Sequence, residues 1–149
     1  MEDKERPLGF AIGRTLAEYF RSLRKRIGET SDMRLSPEQL GLLYALSKED
    51  EEVILQKMAE KLGKDKSAVL RTIDSLESKD LVRRIPSQND RRKNQLFVTK
   101  KGEAVIKRFL EAEISFSREI LEGLSEEQIT TFYFVLAHIR MKSESTLNN

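Results

Sequence analysis

Two clusters of side chains in this sequence are suited to binding a polyanion. One lies in a nine-residue polar loop between two short β-like runs of residues 83–99, and its charged residues are Asp90, Arg91, Arg92 and Lys93. Loops between paired strands usually have about 2–5 residues, so a longer one suggests a function of its own. Arginine is favoured in a narrow DNA minor groove, and long cationic side chains can contact phosphates. The alternative is a disordered polar loop.

The second cluster lies on a helix predicted near residues 66–79, with Asp65 as its cap. At about 100° per residue, Val69, Ile73 and Leu76 share one face. The opposite face carries three small hydroxyl residues and one arginine, namely Ser67, Arg71, Ser75 and Ser78. This face suits the DNA major groove, because small residues allow close approach and arginine can bond guanine bidentately. Lys66, at the helix N-terminus, can hold a phosphate. The alternative is an ordinary surface helix.

The charge distribution supports a polyanionic partner. Residues 61–101 contain twelve Lys/Arg and five Asp/Glu, a local charge of +7, whereas the whole chain carries +2 and the remainder therefore 2 − 7 = −5. A basic segment on a mildly acidic scaffold is typical of proteins that bind nucleic acids. A solvated basic face without a partner would have the same composition.

Several other functions are disfavoured by composition. The chain has no cysteine, which excludes disulfides, thiolate metal sites and thiol redox sensing. Its single histidine, His138, has no histidine partner for a metal site, and no phosphate-cradling loop or nucleophile elbow occurs. We therefore predict no enzyme activity, no metal and no cofactor. With no apolar run of about 18 residues, a cytoplasmic location without membrane contact is expected.

Periodicity and capping residues predict the order of elements. Helices are expected over residues 8–27, 37–47, 55–62, 66–79, 100–122 and 126–142, with a short extended piece at 53–54 and strands over 81–85 and 95–99. Two short helices joined by a glycine-containing turn and followed by a hairpin form a winged helix-turn-helix. The predicted fold is mainly α with a small β-hairpin wing. Its parts are a winged helix-turn-helix core over 34–100, helical dimerisation arms over 8–28 and 100–142, and a frayed polar tail over 143–149.

Three segments carry a resemblance to a known family. The segments "LSPEQLGLLYAL", "LQKMAEKLGKDKSAVLRTIDSLESKDLVRR" and "NDRRKNQLFVTKKG" together resemble the MarR family of bacterial transcriptional regulators. The resemblance extends from about Leu8 to Ile139. One departure is Asp80, which stands where such proteins often have glycine between the recognition helix and the wing. Aspartate tolerates left-handed backbone geometry better than most residues.

The resemblance implies a homodimer in which each subunit presents one winged helix to half of a pseudo-palindromic double-stranded DNA operator. Carried over by position, the recognition-helix contacts are Ser67, Ala68, Leu70, Arg71 and Thr72. In the wing, the resemblance points to the pair Asp90 and Arg92, with Arg92 entering the minor groove. We expect Asp90 to order the tip by pairing with the Arg92 guanidinium, while Arg91 and Lys93 hold phosphates.

The terminal helices support dimerisation by their own composition. They carry extensive apolar surface for arms outside the winged core, including Phe109, Phe116, Ile120, Leu121, Ile129, Phe132, Tyr133, Leu136 and Ile139. Burying each such side chain fully is worth roughly 1.5–3 kcal/mol, so a partner chain is their natural cover.

The family resemblance also implies a small ligand. Many MarR-type proteins respond to phenolic or carboxylated compounds bound between the dimer helices and the winged domain. A small aromatic or phenolic effector would then contact Tyr19, Phe20, Arg24, Tyr44 and Phe109. Aromatic residues at helical spacing are also typical of an ordinary core, so the core interpretation stays open.

The sequence as a whole predicts a dimeric, sequence-specific DNA-binding transcriptional regulator, a repressor relieved by a small ligand. The alternative is a winged-helix module that docks another protein without binding an operator. An exposed apolar patch on the recognition helix would favour that alternative.

Overall fold

The computed structural model describes residues 7–28, 34–49, 53–63 and 65–147. Its elements are, in chain order, α1 (Leu8–Ile27), α2 (Pro37–Ser47), β1 (Val53–Ile54), α3 (Leu55–Leu62), α4 (Lys66–Ser78), β2 (Val82–Pro86), β3 (Asn94–Val98), α5 (Lys100–Ile120) and α6 (Glu126–Leu147). The predicted fold class, mainly helical with a small antiparallel wing, is confirmed. The chain divides into two compact units, Met1–Glu113 and Ile114–Asn149.

Side-chain hydrogen bonds cap the N-termini of two helices in the first unit, α2 and α4. At the start of α2, the Ser36 hydroxyl accepts a hydrogen bond from the Gln39 amide at 3.2 Å, and the Gln39 side-chain oxygen accepts one from the Ser36 amide at 2.8 Å. At the start of α4, the Asp65 carboxylate accepts a hydrogen bond from the Ala68 amide at 3.2 Å. These contacts satisfy amides that the helices leave without internal partners, which is why the helices begin at these residues.

The turn from α4 into the wing requires a left-handed residue. Asp80 has φ of +58°, its amide donates to the Glu77 carbonyl at 2.9 Å, and the Leu81 amide donates to the Leu76 carbonyl at 3.0 Å. This is a Schellman motif with aspartate at the position that glycine usually takes. The left-handed geometry expected of Asp80 is therefore present, and the fully buried Leu81 anchors the chain as it enters β2.

The three strands form one antiparallel sheet in the order β1-β3-β2. Arg84 and Val53 both lie opposite Leu96, so the single buried residue of β3 is flanked on both sides. Each strand of the hairpin is displaced by one residue from its prediction, and the connecting loop is residues 87–93. The short β1 strand joins the sheet to the helix-turn-helix because α3 begins directly after it.

The core of the first unit is formed by aliphatic side chains from every helix and strand in it. Its fully buried large residues are Leu23, Leu35, Leu43, Met58, Val69, Ile73, Leu76, Leu81 and Val82. Tyr44, one of the residues suggested for an effector, has an exposed side chain. Leu42 and Leu46 are buried beside Leu40 and Leu43, and together they turn the inner face of α2 away from Tyr44.

The second unit contains the end of α5 and all of α6. The last helix continues to Leu147, so the predicted frayed tail is helical over residues 143–147; residues 148–149 lie outside the described part. No proline or glycine interrupts this segment, and the Ser145 and Thr146 hydroxyls donate to the Lys142 carbonyl at 2.8 and 3.0 Å. No residue of α6 is buried, and Phe132, Tyr133 and Phe134 are all more than half exposed.

The first turn of α5 packs closely on the wing at Gly102. A Cβ at this position would lie 2.2 Å from the Leu81 carbonyl oxygen and 2.8 Å from Cγ1 of Val98.

We expect Gly102→Ala to lower the free energy of unfolding by about 1–3 kcal/mol, because backbone atoms cannot move aside. Gly41→Ala in α2 is the matched control: a Cβ there meets nothing within 4 Å, and helix propensity predicts a gain of about 0.5–1 kcal/mol. Urea denaturation of both variants measures these changes in the free energy of unfolding, and equal changes would contradict the prediction.

Candidate nucleic-acid interface

The buried face of α4 is the predicted one, and three of the four residues predicted to face outward are exposed, namely Ser67, Arg71 and Ser78. Val69, Ile73 and Leu76 are buried, whereas Ser67 and Arg71 are exposed. Lys66 is also exposed, and Ala68, Leu70 and Thr72 are half-buried. The exposed large apolar side chains of the described residues include none from α4, so its outer surface is polar.

Two hydroxyl residues of α4 serve the fold rather than the outer surface. Ser75, predicted to face outward, is half-buried and accepts a hydrogen bond from the Gln39 side-chain amide at 2.5 Å. This contact fixes α4 against the first turn of α2. The Thr72 hydroxyl donates to the Ala68 carbonyl at 3.1 Å. Lys66, Ser67 and Arg71 therefore form the accessible N-terminal part of the helix, which is the part that enters the major groove in helix-turn-helix docking.

The wing tip is ordered by Asp90, but through a different contact from the predicted one. Its carboxylate accepts a hydrogen bond from the backbone amide of Arg92 at 3.0 Å, and its carbonyl accepts one from the Lys93 amide at 2.9 Å. At the base of the tip, the Ser87 amide donates to the Lys93 carbonyl at 2.8 Å. The Asp side chain thus closes a local turn. The expected pairing with the Arg92 guanidinium is not formed, because the carboxylate is engaged by the backbone.

This arrangement leaves the wing cations available. Arg91, Arg92 and Lys93 are exposed, and no described carboxylate pairs with any of them. The tip is therefore a closed turn that carries three adjacent cationic side chains into solvent. Such side chains can contact a phosphate backbone or enter a minor groove without first breaking an ion pair.

Arg84 joins the wing to the recognition helix, a role that the sequence analysis did not find. One guanidinium nitrogen lies 2.8 Å from a carboxylate oxygen of Asp74 and 2.9 Å from one of Glu77. The second Glu77 oxygen accepts hydrogen bonds from the Arg84 backbone amide at 3.0 Å and its Nε at 3.3 Å. The available signal was the pair of acids three residues apart on one helix, followed by an arginine in the next strand. Its partners could not be assigned without the hairpin register.

Comparison with known proteins identifies this architecture. Residues 35–93 match the model of the MarR family. That match covers the winged helix from the start of α2 to the wing tip, and it confirms the resemblance drawn from the sequence. MarR family members are transcriptional regulators rather than enzymes, in line with the predicted lack of enzyme activity.

Solved structures of regulators share the fold over nearly the whole chain. The repressor CouR, bound to a 23-mer DNA duplex, has a TM-score of 0.76 at 24% identity, with 90% of this chain and 92% of CouR covered. A cysteine-to-serine mutant of MarR from E. coli, complexed with operator DNA, has a TM-score of 0.74 at 22% identity, with 92% and 96% covered. PcaV from Streptomyces coelicolor, in complex with its natural ligand, has a TM-score of 0.75 at 18% identity, with 96% and 97% covered.

The residues suggested for an effector do not all meet in one place in this MarR-type fold. The Tyr19 hydroxyl donates to the Glu113 carboxylate at 2.6 Å, and its ring packs edge-on against Phe20 with centroids 5.8 Å apart. Phe109 is half-buried, whereas Tyr44 is exposed beneath the Lys48 ammonium group. Arg24 lines a separate cavity at the end of α1 that does not include the four aromatic residues.

The described residues offer neither a metal site nor a membrane-spanning helix. No group of three or more His, Cys, Asp or Glu side chains among them is placed to hold a metal ion. No helix among them is long and apolar enough to cross a membrane.

The link between Arg84 and Glu77 makes the stability of the MarR-type domain depend on pH. The hydrogen bonds from Arg84 are the main cause that lowers the pKa of Glu77 below its usual 4.5. The ionised carboxylate therefore favours the folded state, and this stabilisation is present above pH 4.5 and lost as pH falls through the lowered folded pKa. We expect Glu77→Gln to cost about 0.5–1 kcal/mol at pH 7, since the pair is partly exposed and screened.

Urea denaturation at pH 7 and at successively lower pH measures this difference. The cost of Glu77→Gln is expected to shrink as the wild-type carboxylate becomes protonated. Glu111→Gln is the control, because Glu111 is exposed on α5 and has no described hydrogen bond or ion pair. A cost that stays constant with pH would show that Glu77 acts through packing rather than through its charge.

Proposed function

We propose that this chain is a cytoplasmic transcriptional regulator that binds a pseudo-palindromic duplex DNA operator as a homodimer. Its action is repression, by steric exclusion of polymerase from the occupied operator, and a small aromatic or phenolic ligand relieves that repression. The observation that carries the proposal is the pair of cationic surfaces on one winged helix: Arg71 on the outer face of α4 and Arg92 at the wing tip. Both guanidinium groups are exposed, and neither is paired with a described carboxylate.

The outer face of α4 fits the major groove. Ser67 is small and exposed near the N-terminus of the helix, so the backbone can approach the base edges. Arg71 is one turn further along the same face and can donate two hydrogen bonds to a guanine. Lys66 and the N-terminal amides of the helix can hold a phosphate that sets the register. The polar character of this face does not favour the alternative of a protein-docking module.

The wing fits the flanking minor groove. Asp90 closes the turn through backbone amides, so the tip is ordered without neutralisation of Arg92 by a carboxylate. Ordering in advance lowers the entropic cost of inserting the guanidinium, and a narrow groove supplies the negative potential that attracts it. Arg91 and Lys93 are then available for phosphates on either side.

Exposed apolar side chains on the terminal helices support the dimer. In the second unit, α6 exposes a run of consecutive large residues from Phe132 to Leu136, and no residue of this helix is buried. In the first unit, α1 exposes Leu8, Phe10 and Leu16. Apolar patches of this kind mark association surfaces. A closed twofold interface would place two recognition helices about 34 Å apart, one turn of DNA.

A structural relative and three half-buried aromatic residues support ligand control. PcaV shares the fold and was solved in complex with its natural ligand, which supports a ligand-responsive function here. Tyr19, Phe20 and Phe109 remain the proposed aromatic contacts, since all three are half-buried. A thermal-shift screen of aromatic acids tests the proposal, because a ligand that binds only the folded state raises its stability.

Arg71→Ala is expected to weaken operator binding by about 1–3 kcal/mol and to relax base preference at one position. Fluorescence anisotropy with the operator and with duplexes substituted at single base pairs measures both effects. Arg71→Lys is the matched control, because it keeps the charge but cannot form the bidentate contact. Equal weakening on every duplex would show that Arg71 contacts only phosphate.

Arg92→Ala is expected to weaken binding chiefly to operators with A·T-rich flanks, because the minor groove distinguishes little else. The neighbouring change Arg91→Ala should weaken binding to every duplex alike. The same anisotropy titrations on A·T-rich and G·C-rich flanks separate the two arginines. An unchanged affinity of Arg92→Ala on both duplexes would remove the wing from the interface.

Sedimentation equilibrium tests the dimer. We expect twice the chain mass at micromolar concentration, and a shift toward monomer in the double variant Phe132→Ser/Leu136→Ser, which removes two apolar side chains one helical turn apart on α6. Each loss of apolar burial should cost roughly 1.5–3 kcal/mol. A wild-type protein that is monomeric at this concentration would contradict the proposal.

A further inference from the structure

A basic cavity lies between the last turns of α1 and the start of α2. It has a volume of about 970 Å³, and its polar lining includes Arg21, Arg24, Lys25, Arg34, Ser36 and Gln39. Among the described residues, no carboxylate lines it. Arg21, Arg24 and Lys25 are exposed, and none of their three side chains forms a hydrogen bond or ion pair among the described residues.

The helix dipole alone does not account for this concentration of charge. Arg24 and Lys25 lie in the last turn of α1, where cations are stabilised by the negative end of the dipole. Arg21 precedes that turn, however, and Arg34 comes from the segment before α2. Four cations around one concave surface create a positive potential that favours an anionic ligand.

The cavity adjoins the recognition face. Ser36 and Gln39 line it on one side, and the same two residues line a groove that also includes Glu38 of α2 and Ala68 and Arg71 of α4. The N-terminus of α2 therefore separates two adjoining concavities, one basic and one formed by the recognition helix. A polyanion that passes along α4 at Arg71 can continue past this helix end to the α1 cations.

We propose that Arg21, Arg24 and Lys25 bind backbone phosphates of the same duplex whose major groove receives α4. This inference rests on the proposed function, since it extends the DNA-binding surface beyond the helix and the wing. The contacts would carry no sequence information, but they would fix the register of α4 against the bases. Both arginine and lysine suit this task, because their donors form charge-assisted hydrogen bonds with phosphate oxygens.

The test is a salt titration of DNA binding by anisotropy, with the full chain. The variants are Arg24→Gln/Lys25→Gln and Arg21→Gln, in which glutamine keeps most of the apolar stem while the charge is removed. Each phosphate contact contributes about 0.9 to the slope of log K against log salt on B-DNA. We expect the slope to fall by about 2 for the double variant and about 1 for Arg21→Gln, with equal affinity loss on operator and random duplexes.

Lys107→Gln is the matched control, because Lys107 is an exposed cation of α5 in the same unit and has no described partner. Its slope should stay close to that of the wild type. Thermal unfolding of every variant checks that the fold is intact. If the double variant is unstable, the single variant Arg21→Gln carries the same test.

A second measurement identifies the phosphates. Operator duplexes with a neutral methylphosphonate at single backbone positions are titrated with the wild type and the double variant. At positions contacted by Arg24 or Lys25, we expect the wild type to lose affinity and the variant to lose none. A methylphosphonate scan with no such position would overturn the inference.

The remaining outcomes separate the inference from the proposed function. A wild-type protein that binds no duplex at low salt would defeat both. If the wild type binds DNA but the variants have the same salt slope as Lys107→Gln, the inference alone is overturned. Unchanged slopes combined with loss of a wild-type thermal shift in salicylate would also overturn it, because the cavity would then be a site for a small anion.

Discussion

The whole candidate interface depends on how α4 is joined to the wing. Asp80 takes a left-handed conformation, and this turns the chain sharply from α4 into β2. Arg84 then reaches back to Asp74 and Glu77, so that one guanidinium binds two carboxylates about one turn apart on the helix. A recognition helix and a wing must meet two grooves of one duplex together, and the angle between them determines whether they can. The turn sets that angle through the backbone, and the ion pairs hold it.

The basic residues of this region therefore have two different physical roles. Arg84 is paired and half-buried, and it contributes to the fold. Arg71, Arg91 and Arg92 are exposed and unpaired among the described residues, and they are available to a ligand. Net charge does not distinguish these roles, because a cation that is already paired would have to give up its carboxylate to bind a phosphate. Fewer cations are available to a ligand than the local charge of +7 suggests, because some are already paired. The unpaired ones lie on the outer face of α4 and at the wing tip.

The helical arms show the opposite situation, in which apolar rather than charged groups lack partners. Side chains such as Phe132 and Phe134 on α6 are exposed in the single chain, although each would be stabilised by burial. Small domains bury their aliphatic residues well, as the winged core does here with Leu43, Ile73 and Leu76. The contrast between a filled core and uncovered arms is the physical basis for proposing a twofold partner.

The sequence by itself determined the helices, their caps and the left-handed turn. These features depend on neighbours within a few residues: Ser36 with Gln39, Asp65 with Ala68, and Asp80 at the end of α4. It also indicated the winged architecture, because the order of elements permits few other arrangements.

Only the tertiary structure decided which polar side chains are engaged. Ser75 bonds to Gln39, 36 residues away along the chain, and Arg84 pairs across the turn to α4. The Asp90 carboxylate accepts a hydrogen bond from a backbone amide and not from the Arg92 guanidinium. Tyr44 faces outward because four leucines fill the inner side of α2. Contacts of this kind depend on strand register and on competition among partners, which residue types and spacing do not specify.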